Sequence, residues 1–176
     1  MADDGELVIL QGPNGVGKST IMRTLAGIFS NVTGEIELNG KVCYVGHEIV
    51  LHDNLTVWEN LQNIFRLDVI DSKHTDELGD KINLALAALK LANKKSYYPW
   101  QLSQGQRRKL NLAKLLFSSH PVWLLDEPFV HLDSDMQNFF IESLQKHLAN
   151  DLGIAVVTSH TPILIADQKV VIVKIF

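Results

Sequence analysis

Cysteine is almost missing from this chain: Cys43 stands alone among 176 residues. An internal disulfide is therefore excluded, and the composition suits a reducing compartment. Positive charge is not in excess either, with 16 Lys+Arg against 20 Asp+Glu and a net charge of −4. That removes the general basic field behind non-specific nucleic-acid binding, so no nucleic-acid partner is expected. Long apolar runs are lacking as well, none approaching the roughly 18–20 residues that span a bilayer. The start, Met1-Ala-Asp-Asp-Gly-Glu6, has neither the basic head nor the apolar core of a signal peptide. A membrane role is expected only through docking onto another chain. What the sequence does have is ordinary globular material, 46% hydrophobic and 20% charged, in a length that suits one domain.

The apolar residues come in short runs with punctuation between them. Leu7–Leu10 reads as a buried strand that ends in a glycine-rich stretch, and Ser19–Ala26 follows as a helix stopped by Gly27. Glu35–Leu38 alternates polar and apolar, and Asn39-Gly40 predicts a hairpin turn into a strand over Lys41–Val45. From Leu55 to about Leu116 the spacing turns helical. Trp58, Leu61, Ile64 and Phe65 share one face; Ile82, Leu84, Ala85, Leu86 and Leu89 share another; Asp68–Asp80 between them reads as a surface loop. A third helix, with Leu112, Leu115 and Leu116 apolar, begins near Ser103. Then come a strand at Val122–Leu125, a helix at Asp135–Ala149, a strand at Ile154–Thr158, a short helix opening at Pro162 and a strand at Lys169–Ile175. Strands separated by helices predict an α/β fold with a mainly parallel sheet flanked by helices, plus a helical subdomain and a small antiparallel β portion. Residues 1–176 are expected to form a single domain of this kind, with 1–55 and 117–176 as core and about 56–116 as the helical subdomain.

Gly12-Pro13-Asn14-Gly15-Val16-Gly17-Lys18-Ser19 satisfies the G-x-x-x-x-G-K-[ST] pattern, directly after a strand and opening a helix. Glycines there let backbone N–H groups wrap a polyphosphate at the positive end of the helix. Lys18 reaches toward the β- and γ-phosphates, Ser19 offers a hydroxyl to Mg²⁺, and Thr20 belongs to the same nucleotide-binding stretch. Val122-Trp-Leu-Leu-Asp126-Glu127 is an apolar strand ending in two carboxylates. Asp126 is placed to hold Mg²⁺ through water, and Glu127 to orient and deprotonate an attacking water as general base. On its own such a carboxylate pair is usually a solvated strand end; beside a phosphate loop the balance reverses. Ser103, with Gly105 and Gln106 after it, opens another helix and offers a second anion site, although bare Ser103 is also an ordinary N-cap.

Leu102-Ser-Gln-Gly-Gln106, the phosphate loop, Leu124-Leu-Asp-Glu-Pro128, His131-Leu-Asp133 and Thr158-Ser-His160 occur in the order and spacing of the ABC-type ATPases, which the chain resembles over nearly its whole length. The resemblance implies a P-loop NTPase fold, hydrolysis of ATP with Mg²⁺, and a homodimer with ATP at the interface. In that dimer Ser103, Gly105 and Gln106 face the partner's phosphate loop. His160 matches the residue that contacts the γ-phosphate, and Asp133 the aspartate that couples the two sites; Asp133 also reads as a helix N-cap. A finer resemblance is to the ATP-binding subunits of haem exporters in cytochrome c biogenesis. It is carried by Gly5-Glu-Leu-Val8, Tyr44-Val-Gly-His47, Leu55-Thr56 with Glu59-Asn-Leu61, Gln101-Leu-Ser-Gln-Gly-Gln-Arg-Arg108, Leu125-Asp-Glu-Pro-Phe129 and Thr158-Ser-His-Thr-Pro162. It implies separate integral membrane subunits and a peripheral place on the cytoplasmic face of the inner membrane. Trp58, Leu61 and Phe65 lie where the family docks those subunits, although residues in such a pattern are more often core than interface.

Most members of the wider family carry glutamine where this chain has His47. That position implies a contact with nucleotide or Mg²⁺; the alternative is a loop histidine without a role. Cys43, His47 and His52 make no Cys-x-x-Cys-His pattern and no closed ligand set, so no direct haem site is expected. No aromatic precedes Gly12, where the family places one against adenine, so the resemblance does not assign that contact. Three rival functions remain on the residues alone: the ATPase of another exporter, a soluble ATPase of this family outside transport, and a cassette that dimerises on nucleotide without turnover.

Overall fold

The computed structural model describes residues 3–30, 33–68, 75–149, 153–159, 163 and 169–176. They fall into two compact units, one of Met1–Glu48, Ser119–Phe129 and Gln137–Phe176, the other of Ile49–Ser118 and Val130–Met136.

The first unit is built on β1 (Glu6–Gln11), β2 (Val42–Val45), β3 (Val122–Asp126), β4 (Ile154–Thr158) and β5 (Lys169–Lys174), in the spatial order β2-β3-β4-β1-β5. Every pairing is parallel. Parallel strands need long crossovers and are covered on both faces, which explains why Leu7–Leu10 and Val122–Leu125 are continuous apolar runs rather than alternating ones. Cys43, Trp123, Ala155 and Leu7 fall in one row across the sheet and share a face. Helix α5 (Ser134–Leu148) lies on that face, where His147 stacks on Trp123 with ring centroids 4.0 Å apart. On the opposite face Leu10, Val122 and Leu124 close a cluster with Met22 of α1 (Lys18–Leu25). Asp126 is on this second face, two residues beyond Leu124, in register with Thr158.

The second unit holds α2 (Val57–Asp68), α3 (Thr75–Ala88) and α4 (Gln104–Leu112), with 3₁₀ turns at Ala92–Lys94, Pro99–Gln101 and Ala113–Phe117. Leu61 and Phe65 are buried, and Phe65 packs edge-to-face on Phe117. Trp58 is half-buried under the Lys95 ammonium, 3.9 Å from its ring centre. Buried Asn60 holds the approach to α2. Its Nδ2 donates to the carbonyls of His52, Leu55 and Thr56, and its Oδ1 accepts from His52 N.

Three expectations are corrected. Glu35–Leu38 carries no strand, and among the described residues no antiparallel pair exists. Gly40 does turn, at φ 114°, but β2 finds its partner in β3 across the sheet rather than in the preceding segment. The loop expected over Asp68–Asp80 gives up Thr75–Asp80 to α3. Leu84 is 61% exposed: the inner stripe of α3 is Ile82, Ala85, Leu86 and Leu89, and 100° per residue puts Leu84 on the other side. The helix expected from Pro162 lies outside the described residues.

Candidate active site: the carboxyl ends of the sheet

Because all five strands run the same way, the segments that follow β1, β2, β3 and β4 leave from one edge of the sheet, the edge where α/β folds bind ligands. The phosphate loop follows β1, His47 follows β2, Asp126 and Glu127 close β3, and Thr158 closes β4.

The phosphate loop reaches α1 through Gly17, whose φ of 105° is open to glycine and strained for any residue with a Cβ. No side chain caps α1, and the first helical bond runs from Ile21 N to Gly17 O, so the N-terminal N–H groups are left for an anion. Lys18 is 7% exposed and folds over the loop, its Nζ donating to the carbonyls of Gly12 at 2.8 Å and Pro13 at 2.9 Å. A cation is thus buried where phosphate is expected to sit, steadied by two loop carbonyls. Pro13, Asn14 and Gly15 are exposed, Val16 and Ser19 half-buried, and Thr20 exposed with its carbonyl accepting from Thr24 Oγ1.

Asp126 is 2% exposed, and its Oδ1 accepts a 2.6 Å hydrogen bond from Thr158 Oγ1. The same hydroxyl accepts from Glu127 N at 2.9 Å, and Thr158 O accepts from that N–H at 3.2 Å. Thr158 therefore ties both carboxylate-bearing residues to β4. Glu127 itself sits at φ 47°, a left-handed backbone that costs a non-glycine residue about 1–3 kcal/mol. Its Oε2 lies 3.3 Å from His47 Nδ1. The Ser19 hydroxyl and Asp126 carboxylate are hard oxygen donors of the kind Mg²⁺ takes beside phosphate oxygens and water. Among the described residues no group of three or more His, Cys, Asp or Glu gathers to form an all-protein cage, and the Mg²⁺ fit needs none.

In the second unit Ser103 caps α4 in a reciprocal capping box. Its Oγ accepts from Gln106 N at 3.3 Å, and Gln106 Oε1 accepts from Ser103 N at 3.1 Å. As an acceptor toward the helix, Ser103 keeps its own proton to donate to an anion. Gly105 is needed for close approach, since a Cβ there would stand 2.6 Å from His131 O. Asp133 is an N-cap in fact: Oδ1 accepts from Met136 N and Oδ2 pairs with Lys109 Nζ of α4, both at 2.9 Å. The Lys109 ammonium, then the Met136 N–H, hold its carboxyl below the usual range. His160 lies outside the described residues.

Sequence reasoning named Thr158 only as part of a motif and missed its bridging role. The available signal is a threonine closing an otherwise apolar strand. It also missed Lys109, a lysine buried on a short helix, where a charge is seldom buried unpaired.

A phosphate loop, a buried strand-end aspartate with a glutamate after it, and a serine-capped signature helix define an ATP-binding cassette. The ABC transporter family model matches residues 2–130, and the chain belongs to that family. It is an ATP-binding, ATP-hydrolysing protein of the transport class. Its relatives include proteins named cytochrome c biogenesis ATP-binding export protein CcmA. That of Paracoccus denitrificans is 38% identical over 94% of this chain and 75% of its own length. That of Nitrobacter winogradskyi is 38% identical over 96% and 84%. Among solved structures, an ATP-binding subunit of an ABC transporter is 26% identical, with a TM-score of 0.76 over 90% of this chain and 70% of its own. The dimeric, ADP- and Pi-bound cassette MJ0796 shares the fold at TM-score 0.81 and 24% identity, over 92% and 77%. No helix among the described residues is long and apolar enough to cross a membrane.

Proposed function

We propose that this chain is the ATPase subunit of an export system serving cytochrome c biogenesis, with haem as cargo. The observation that carries this reading is the match along more than nine-tenths of the chain to proteins named for that export. The cassette works as a homodimer with ATP between two copies and is docked peripherally on separate integral membrane subunits at the cytoplasmic face of the inner membrane. Residues about 56–116 are the helical subdomain that does the docking.

Gly12 to Thr20 bind the nucleotide phosphates through backbone N–H groups, the Lys18 ammonium and the Ser19 hydroxyl. Ser19 and Asp126, the latter through water, are the residues that would hold Mg²⁺, which would neutralise phosphate charge. Thr158 fixes Asp126 and the backbone of Glu127. The Glu127 carboxylate accepts the proton of the attacking water at an oxygen, and His160 donates to the γ-phosphate. Ser103, Gly105 and Gln106 close the site of the other copy, and Asp133 couples the two sites. His47 completes the site beside Glu127.

The test is affinity purification of the tagged full chain from membranes, with phosphate release measured on the captured complex. Small multi-span proteins of a cytochrome c assembly system should co-purify, and turnover should fall roughly 10²–10⁴-fold in Glu127→Gln. Capture of an unrelated transporter overturns the cargo; unchanged turnover in Glu127→Gln overturns the base.

A further inference from the structure

The backbone of Glu127 is fixed, by its left-handed φ and by the Thr158 contacts on its N–H, but these reach no further than the peptide. A glutamate side chain has three torsions beyond its backbone, and a general base works only when its carboxylate is held toward the water it deprotonates. The carboxylate is mostly buried, 18% exposed, and its Oε2 lies 3.3 Å from His47 Nδ1. His47 itself stands on a constrained support. It follows β2 by two residues, and the intervening Gly46 is pressed against Tyr44, so that a Cβ there would meet the Tyr44 hydroxyl at 3.0 Å and its ring at 3.3 Å. Burial pushes the Tyr44 hydroxyl up from its ordinary range, against a hydrogen bond with Arg23 that pulls it down. On the far side Glu48 reaches Arg23 of α1 at 3.7 Å. The loop therefore presents the near ring nitrogen of His47, the one closest to its own backbone, to the glutamate.

We infer that His47 is the positioning residue of the general base, holding the Glu127 carboxylate through Nδ1–H so that it faces the water it deprotonates. This inference rests on Glu127 being that base. A carboxylate oxygen is acceptor-only, so the contact places a proton on Nδ1 in either charge state of the ring. An imidazole brings two side-chain torsions to this task, fewer than glutamine, and holds its partner at lower entropic cost. The role differs from binding nucleotide or metal: His47 acts on the chemical step through Glu127.

The experiment measures kcat, KM and the Mg·ATP dissociation constant on the purified full chain for His47→Ala, His47→Asn, Glu127→Gln and the double variant Glu127→Gln/His47→Ala. Asparagine places its amide N–H near the position of Nδ1, so it serves as the conservative rescue. His47→Ala should lower kcat about 10- to 100-fold, the usual worth of a hydrogen bond to a charged group, with KM and nucleotide affinity within about threefold. His47→Asn should recover to within about fivefold of the parent. In the Glu127→Gln background the alanine substitution should cost less than about threefold, because it then acts on nothing further. Parent-like kcat in His47→Ala, no rescue by asparagine, or the same loss in both backgrounds overturns the proposal, as does an effect confined to KM and affinity, the mark of a nucleotide or metal ligand. Parent-like turnover in Glu127→Gln removes the base assignment and this inference with it; the other failures remove this inference alone.

Discussion

Replacing Thr158 by valine separates hydrogen bonding from burial at the centre of the site. Thr158 is fully buried, and its hydroxyl donates to Asp126 Oδ1 at 2.6 Å while accepting from Glu127 N at 2.9 Å. Valine keeps the volume and the β-branch, so the strand and its packing stay as they are. The bond to the carboxylate is charge-assisted, worth about 1.5–3 kcal/mol. The bond from Glu127 N is neutral and partly replaced by Thr158 O at 3.2 Å, which leaves about 0.5–1 kcal/mol for it. The sum is about 2–4 kcal/mol, or roughly 4–16 °C in Tm for a chain of this size. Thr158→Ser keeps the hydroxyl and loses one methyl group, about 1 kcal/mol. Urea denaturation followed by far-UV circular dichroism should rank the parent above serine and serine above valine. An account based on apolar burial alone instead places valine first and serine last. Valine at or above the stability of the parent would show that the Asp126–Thr158–Glu127 network contributes nothing.

Gly105→Ala should cost about 1–3 kcal/mol in the same assay, since the new Cβ would press on a backbone carbonyl, and His131 at φ 67° has little room to yield; a neutral effect would mean that the signature helix start moves freely. Acid should weaken the fold through His147, whose pKa is pushed down by burial. Its neutral ring is the one the folded chain prefers, so its stabilisation is complete above the ordinary histidine value near 6.5 and is lost as pH falls from there through the lowered folded value, with a slope of up to about 1.4 kcal/mol per pH unit. His147→Phe should keep the stack on Trp123 and flatten this slope; an unchanged slope assigns it to other groups. Mixing Lys18→Ala with Ser103→Arg should restore ATP-dependent dimers, because the heterodimer contains one intact composite site; inactive, monomeric mixtures would refute clamping across the dimer.

The phosphate loop was legible in the sequence because its function resides in backbone N–H groups, and the glycines, Lys18 and Ser19 that permit this are contiguous. Strands β1, β3 and β4 were legible for a similar reason: each is buried or half-buried on both faces and carries an unbroken apolar run. The hairpin over Glu35–Val45 failed because a turn signal specifies only that the chain bends at Gly40. It does not specify that the flanking segments pair, and Val42–Val45 pairs instead with Val122–Leu125. The Thr158–Asp126 bond and the His47–Glu127 contact were hidden for the same cause. Both depend on the register of strands distant in sequence, and no local pattern of residues encodes that register.

That topology also bears on how the molecule is made. Strand β1 lies inside the sheet between β4 and β5, and Leu7 pairs with Ala155 on one side and Val170 on the other. A ribosome adding about 5–20 residues per second needs roughly 7–30 s to travel from Leu7 to Ala155. Through that interval Leu7, Ile9 and Leu10 have neither neighbouring strand yet synthesised. The nucleotide-binding loop, anchored on β1, is therefore translated well before the two strands that fix it in place. A nascent chain stalled before β4 has its phosphate loop without its scaffold, and its exposed apolar strand is a natural target for chaperones at the tunnel mouth.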